Sequence, residues 1–398
     1  MNNLSKFDLR MSSKTSLSLL SLVSLSACQF GKSSALNGAV IKGPLENALV
    51  FLDYNNNGLL DASEPSVRTA SDGTFSLSGQ SGFGFTVLTD NTTVDSSSGE
   101  VLANVVLKAP SGSGVVSPTT TVMEETGLSA VEVAAVLGLP EGVDPTQFNP
   151  FAENVDADTA LAVEKVAHQV MTTVTAIQSA IEGTGANTGD AFSIAMESVA
   201  NVISEKGENY KANPNAPVDV IDFTDATEMS ELTEIVANKV SEQGIGDTAA
   251  FNAIADDLET AVINVNAAID DATDISSEES QALFALSSDL KEQVKAAAED
   301  PDNEENAITF TTSEAVETAK DEKVVEIIAF KEAEANKETQ DETNEESTDS
   351  ATDPSSDEEN TDPVELSVPT ILTSYSNPLL NTGTPTICLL YTSDAADE

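Results

Sequence analysis

Ala48-Leu49-Val50-Phe51-Leu52-Asp53-Tyr54-Asn55-Asn56-Asn57-Gly58-Leu59-Leu60-Asp61-Ala62-Ser63-Glu64 joins a strand-type run to a loop whose spacing demands a specific chemistry. Oxygen-bearing side chains fall at loop positions 1, 3, 5, 9 and 12, which are Asp53, Asn55, Asn57, Asp61 and Glu64. Gly58 takes position 6, where a calcium loop turns sharply. A hard cation needs six to eight oxygens, and this loop supplies them. Asp53, Asn55 and Asn57 each offer one side-chain oxygen and Leu59 its backbone carbonyl. Asp61 offers a direct or water-bridged oxygen, and Glu64 offers two. Asn, Gly and Asp dominate ordinary surface turns as well. Such a turn, however, needs no Glu six residues beyond the glycine.

The lead-in decides what kind of loop this is. An EF-hand sets its loop between two helices, whereas residues 48–52 are β-branched and aromatic, as a strand requires. Beyond Pro65 a polar stretch leads to Asp72-Gly73, which reads as a hairpin turn between two short strands. Further strands are expected at 38–41, 83–89 and 101–108, separated by Gly, Ser and Asn turns. Short strands at this spacing predict a small antiparallel β-sandwich over residues 37–120. The metal would then tie a strand end to the next strand, as a structural clip.

The run from Gly38 through Glu64-Pro65, followed by Asp72-Gly73-Thr74-Phe75, resembles the calcium-binding B-type β-sandwich modules of bacterial surface proteins, including the SD-repeat proteins. That resemblance covers about residues 37–110 and implies a calcium-stiffened extracellular module. Val116-Ser117-Pro118-Thr119-Thr120-Thr121-Val122-Met123, Leu137-Gly138-Leu139-Pro140 and Phe148-Asn149-Pro150-Phe151 are similar to a segment that recurs beside such modules in exported bacterial proteins. No activity is implied by it.

The amino terminus points to export. Lys6, Arg10 and Lys14 form a basic region, followed by an apolar run over 16–27 that is too short to span a bilayer. Leu25-Ser26-Ala27-Cys28 resembles the lipobox of bacterial lipoproteins, which implies cleavage before Cys28 and lipidation of its sulfur. Gln29 resembles the outer-membrane sorting pattern of that family. Residues 1–27 are therefore expected to be a lipoprotein signal peptide and 28–36 a tether. The implied location is the bacterial outer membrane or cell surface, with the membrane as partner through Cys28. Acyl chains contribute about 0.8 kcal/mol per buried methylene, enough for several to hold the chain firmly.

Residues 121–334 change character to Ala, Glu, Val and Asp with helical periodicity. A short helix is expected within 127–140, with Ser129 as N-cap and Gly138 and Pro140 as stops. Longer ones are expected at 157–181, 187–205, 225–243, 248–271, 277–299 and 313–335. Together they suggest an all-α bundle, so the fold class is multidomain α+β. Residues 335–365 are Glu, Asp, Thr and Ser in low-complexity order, the composition of a disordered acidic linker. Residues 366–387 regain strand character, as the start of a further, truncated domain. Residues 388–398, from Cys388 to Glu398, resemble a translated sequencing adapter and are set aside as an artefact.

Composition excludes several functions. The net charge of −51 at pH 7 repels nucleic acid, so no nucleic-acid partner is expected. With one histidine, His168, a Ser/His/Asp triad and His-rich zinc sites have almost nothing to build on. His168 lies inside the 157–181 helix and reads as a packed or surface residue. The helical Asp and Glu residues read as solvated faces, Trp is absent, and no phosphate loop is present. No catalytic residue is expected and the chain is read as a non-enzyme. Its expected role is a cell-surface-anchored, calcium-binding structural or adhesion-type lipoprotein with an extracellular protein or polysaccharide as ligand. The alternative is the anchoring front portion of a larger secreted enzyme or polysaccharide- or peptide-binding protein.

Overall fold

In the computed structural model, described over residues 33–345 except Pro214, strands come first and helices follow, giving a mixed α+β fold. The apolar run before the Asp53–Glu64 loop forms β3 (Leu49–Leu52), and Val50, Phe51 and Leu52 are fully buried. β3 is central in a four-stranded sheet of order β4-β3-β6-β8, where β4 is Ser66–Arg68, β6 Phe85–Leu88 and β8 Val106–Ala109. All three pairings are antiparallel. A second sheet places β1 (Ser33–Val40) between β5 (Thr74–Gln80), antiparallel, and β9 (Val115–Val116), parallel. β2 (Leu45–Glu46) and β7 (Val94–Asp95) form a third, two-stranded sheet. β5 alternates exposed and buried residues, as a half-buried strand should. Phe75 of β5 meets Phe85 of β6 edge to face, with ring centroids 5.0 Å apart.

Three strand expectations change. Asp72-Gly73 is a turn, with Gly73 at φ +76° and Thr74 N–H donating to Asp72 Oδ1 at 2.9 Å. The strands on either side are not a hairpin pair, because β4 joins β3 and β5 joins β1. Turn chemistry specifies the local bend and leaves the pairing partner to side-chain burial. Residues 33–36 of the expected tether belong to β1, opposite Leu77 to Gln80. In the 101–108 segment, Val101 makes only an isolated bridge and the strand starts at Val106.

The helices fall close to their expected places. They are α1 (Pro118–Thr126), α2 (Ala130–Val136), α3 (Ala157–Gly183), α4 (Thr188–Ala212), α5 (Ala226–Gln243), α6 (Thr248–Asp270), α7 (Glu278–Glu299) and α8 (Ser313–Glu345). α1 begins before the expected helical start at 121. Its Thr-rich sequence has poor helix propensity, but Ser117 and Thr120 form a capping box with Pro118 in the first turn. Thr120 Oγ1 also donates to the Lys108 carbonyl at 2.8 Å and Lys108 N–H donates to Thr121 Oγ1 at 2.9 Å, tying α1 to β8. α8 runs through 335–345, the first part of the expected linker; Glu, Lys, Ala and Gln are good helix formers.

Ser129 caps α2: its backbone N–H donates to Glu132 Oε2 at 2.7 Å, and its hydroxyl oxygen accepts from Glu132 N–H at 3.3 Å. Replacing Ser129 by alanine is expected to lower stability by about 1 kcal/mol, read as a lower urea midpoint at unchanged slope.

One apolar cluster runs from Val40 of the strand region to Val316 of α8. α3 is its axis, with Val170, Val174, Ile177 and Ile181 fully buried. Two of its buried threonines bond back within the helix: Thr173 Oγ1 donates to the Gln169 carbonyl at 2.9 Å and Thr175 Oγ1 to the Met171 carbonyl at 2.7 Å. Among the described residues no helix is long and apolar enough to cross a membrane. Residues 1–27, Cys28, 346–365, 366–387 and 388–398 lie outside the described residues, and so do the expectations attached to them.

Candidate functional site: the Asp53–Glu64 loop and a buried ionic cluster

The loop from Asp53 to Glu64 connects β3 to β4, which pair antiparallel as Leu49↔Arg68, Val50↔Val67 and Phe51↔Ser66. It is therefore the end loop of a hairpin, flanked by strands on both sides; the short strand expected before Asp72-Gly73 is β4, and it pairs with β3. Leu52 N–H donates to the Pro65 carbonyl at 3.3 Å and closes the base.

The two ends of the loop are its buried carboxylates. Asp53 is 9% exposed and Glu64 8%. Asp53 Oδ2 accepts from Gly58 N–H at 2.6 Å, and Oδ1 accepts from Asn57 N–H at 3.1 Å. Glu64 reaches back with both oxygens: Oε1 accepts from Tyr54 N–H at 2.7 Å and Oε2 from Asp61 N–H at 2.9 Å. Asn55 and Asn57 both turn their side-chain amides onto Asp61 Oδ2, at 2.7 and 3.1 Å. The sharp turn uses Asn56 at φ +58° and Gly58 at φ +73°, a left-handed backbone that glycine adopts without cost. The Leu59 side chain points to solvent at 61% exposure. Tyr54 anchors the outside of the loop, packing edge to face on Phe83 with ring centroids 4.6 Å apart.

Five of the six expected ligand residues thus join one hydrogen-bonded loop through their side chains, and Leu59 joins it through its N–H to Asn57 Oδ1 at 2.8 Å. Among the described residues, no group of three or more His, Cys, Asp or Glu side chains is gathered as a metal centre. Of the five side chains in the loop, three are carboxylates and two are amides. The donors are carboxylate and amide oxygens, suited to a hard cation and unsuited to a soft metal.

A second polar cluster escaped the sequence reading. Glu164, taken with the helical carboxylates as part of a solvated face, is 1% exposed. It faces the tight turn between β1 and β2, where Gly43 N–H donates to Glu164 Oε1 at 2.6 Å. His168, one turn further along α3, is buried as well and places Nε2 3.2 Å from the same oxygen. Its ring stacks on Phe284 of α7, 4.2 Å between centroids and 12° between planes. Lys42 and Asp95 complete the cluster, and both are buried. Gly43 has φ +62°, and a Cβ there would overlap the Asp95 carboxylate, so only glycine lets the turn approach β7 this closely.

Burial pushes the Lys42 ammonium below its ordinary range, against the pull of Asp95, Glu164 and Glu100. Burial pushes the Asp95 carboxyl up, against the charge of Lys42 and the hydrogen bonds from Ser97. No sequence signal marks this group as a unit, because its members come from positions 42, 95, 164 and 168.

No family model, characterised protein or solved structure matches this chain.

Proposed function

We propose that this chain is the membrane-anchored part of an exported bacterial surface protein whose strand-rich module is stiffened by calcium. In this reading the sheets form a small antiparallel sandwich, the helices form a bundle, and Cys28 carries the lipid. The observation that carries it is the hairpin loop of residues 53–64, whose oxygen-bearing side chains close on one another with Asp53 and Glu64 buried at its two ends. Asp53, Asn55, Asn57, Asp61 and Glu64 would hold the ion, with the Leu59 carbonyl as a further donor. Bound calcium would offset the repulsion of three carboxylates and cross-link the end of β3 to the start of β4. The role is structural, presenting more distal parts of the protein to an extracellular protein or polysaccharide. No catalytic role is assigned, and nucleic acid is not a partner for so acidic a chain.

Calorimetric titration of the intact chain with calcium chloride tests this. The intact chain is the right sample because the strand region shares its core with the helices. One site with an affinity of about 10⁻⁴–10⁻³ M is expected, as for extracellular calcium modules. Asp53→Ala and Glu64→Ala should each remove it. Equal heats from all three proteins would assign the binding to the acidic surface at large and end the proposal.

A further inference from the structure

His168, Glu164, Lys42 and Asp95 lie where the strand region meets α3 and α7. The neutral imidazole with its proton on Nε2 donates to Glu164 Oε1, the oxygen that also accepts Gly43 N–H. His168 Nδ1 is then an acceptor, and it is buried with no hydrogen-bond partner among the described residues. Protonation would turn Nδ1 into a donor with nothing to receive it. It would also place a second positive charge near Lys42 in a site closed to water, where both are costly.

We propose that His168 is an acid-sensitive latch, closed while its imidazole is neutral, whose protonation releases the Lys42–Gly43 turn and β7 from α3 and α7.

The charged groups around the ring come from several elements. α3 contributes Glu164, the β1–β2 turn contributes Lys42, and β7 contributes Asp95. α7 touches the ring through Phe284, and its Lys291, together with Glu100 beyond β7, bears on Lys42. Burial and the Lys42 charge hold the imidazole below its ordinary value of 6.5, outweighing Glu164 and Asp95. An opened site takes up the proton near pH 6.5, while the packed site resists it. The open form therefore binds more protons, so the latch is at full strength above about pH 6.5 and weakens as pH falls below it. Asp95 has the opposite sign: its raised carboxyl favours the packed form as pH falls. Lys42 and Lys291, also held below their ordinary values by burial, share the sign of His168, so the His168→Gln comparison is what assigns a weakening on acidification to the imidazole.

Hydrogen exchange of the intact chain at pH 7.5 and 5.5, corrected for intrinsic rates, tests the latch. Peptides covering residues 40–46 and 94–100 report on it, and residues 130–137 serve as the reference. Opening at the first two is expected to rise about tenfold for each pH unit below 6.5 in which the packed site resists protonation. The reference should stay protected. His168→Gln keeps an amide donor toward Glu164 without titrating, and should stay closed at both pH values. Because His168 is the only histidine, its ring resonances in wild-type protein give a second readout, expected to titrate below 6.5. Equal loss of protection in wild type and His168→Gln, loss that includes the reference, or a ring titrating at or above 6.5 would overturn the proposal.

Discussion

Replacing Glu164 by alanine is expected to lower stability by about 3–5 kcal/mol, the usual cost of removing one partner from a buried ionic group. The side chain is 1% exposed, and its Oε1 alone accepts from Gly43 N–H at 2.6 Å and meets His168 Nε2 at 3.2 Å. Truncation strands a buried backbone donor and a buried imidazole, each about 1–3 kcal/mol of uncompensated desolvation. It also leaves Lys42 with one carboxylate fewer to balance its charge. Glu164→Gln keeps an acceptor for Gly43 while removing the charge, so its loss should fall between wild type and alanine. Urea unfolding followed by circular dichroism measures both. An alanine variant within about 1 kcal/mol of wild type would show that the site relaxes or admits water, and the ionic cluster would then contribute little.

The second large effect concerns the hairpin loop. If residues 53–64 bind calcium in the folded state alone, raising free calcium to about a hundred times the dissociation constant adds about 2.7 kcal/mol. For a chain of this size that is a rise of several degrees in the unfolding midpoint, at about 2–4 °C per kcal/mol. Glu64→Ala should abolish the increment, because it removes the only side chain expected to supply two oxygens. It should also destabilise the calcium-free protein, since Glu64 accepts the backbone N–H groups of Tyr54 and Asp61. Scanning calorimetry with chelator and with added calcium separates the two effects. A variant that starts lower yet gains the same increment as wild type would place the calcium elsewhere.

Much of the secondary structure was legible in advance. Seven of the helices follow from apolar spacing and from short-range punctuation such as Ser129 before α2 and Gly138 and Pro140 beyond it. α1 was only partly legible, since its threonines are weak helix formers that gain stability from hydroxyl bonds to Lys108 of β8. In the loop, the spacing of Asp53, Asn55, Asn57, Asp61 and Glu64 named the residues that the hairpin brings together. The bounds and partner of the short strand before Asp72-Gly73 were hidden, because Ser66–Arg68 is three residues long and has no alternation to read.

Taken alone, the chain therefore determined its element types, its caps and turns, and the composition of one oxygen-rich loop. These depend on residues within a few positions of one another, so their physics is written locally. Strand pairing and the fate of each carboxylate were decided only by the tertiary structure. Asp72-Gly73 bends the chain, but Leu36 and Leu77 pair β1 with β5 because their sheet packs on the core. Glu164 looks like any acidic helix residue until the Gly43 turn, 121 positions earlier, arrives on top of it. Contact at that distance excludes water, and excluded water is what turns a solvated carboxylate into the centre of a buried ionic cluster.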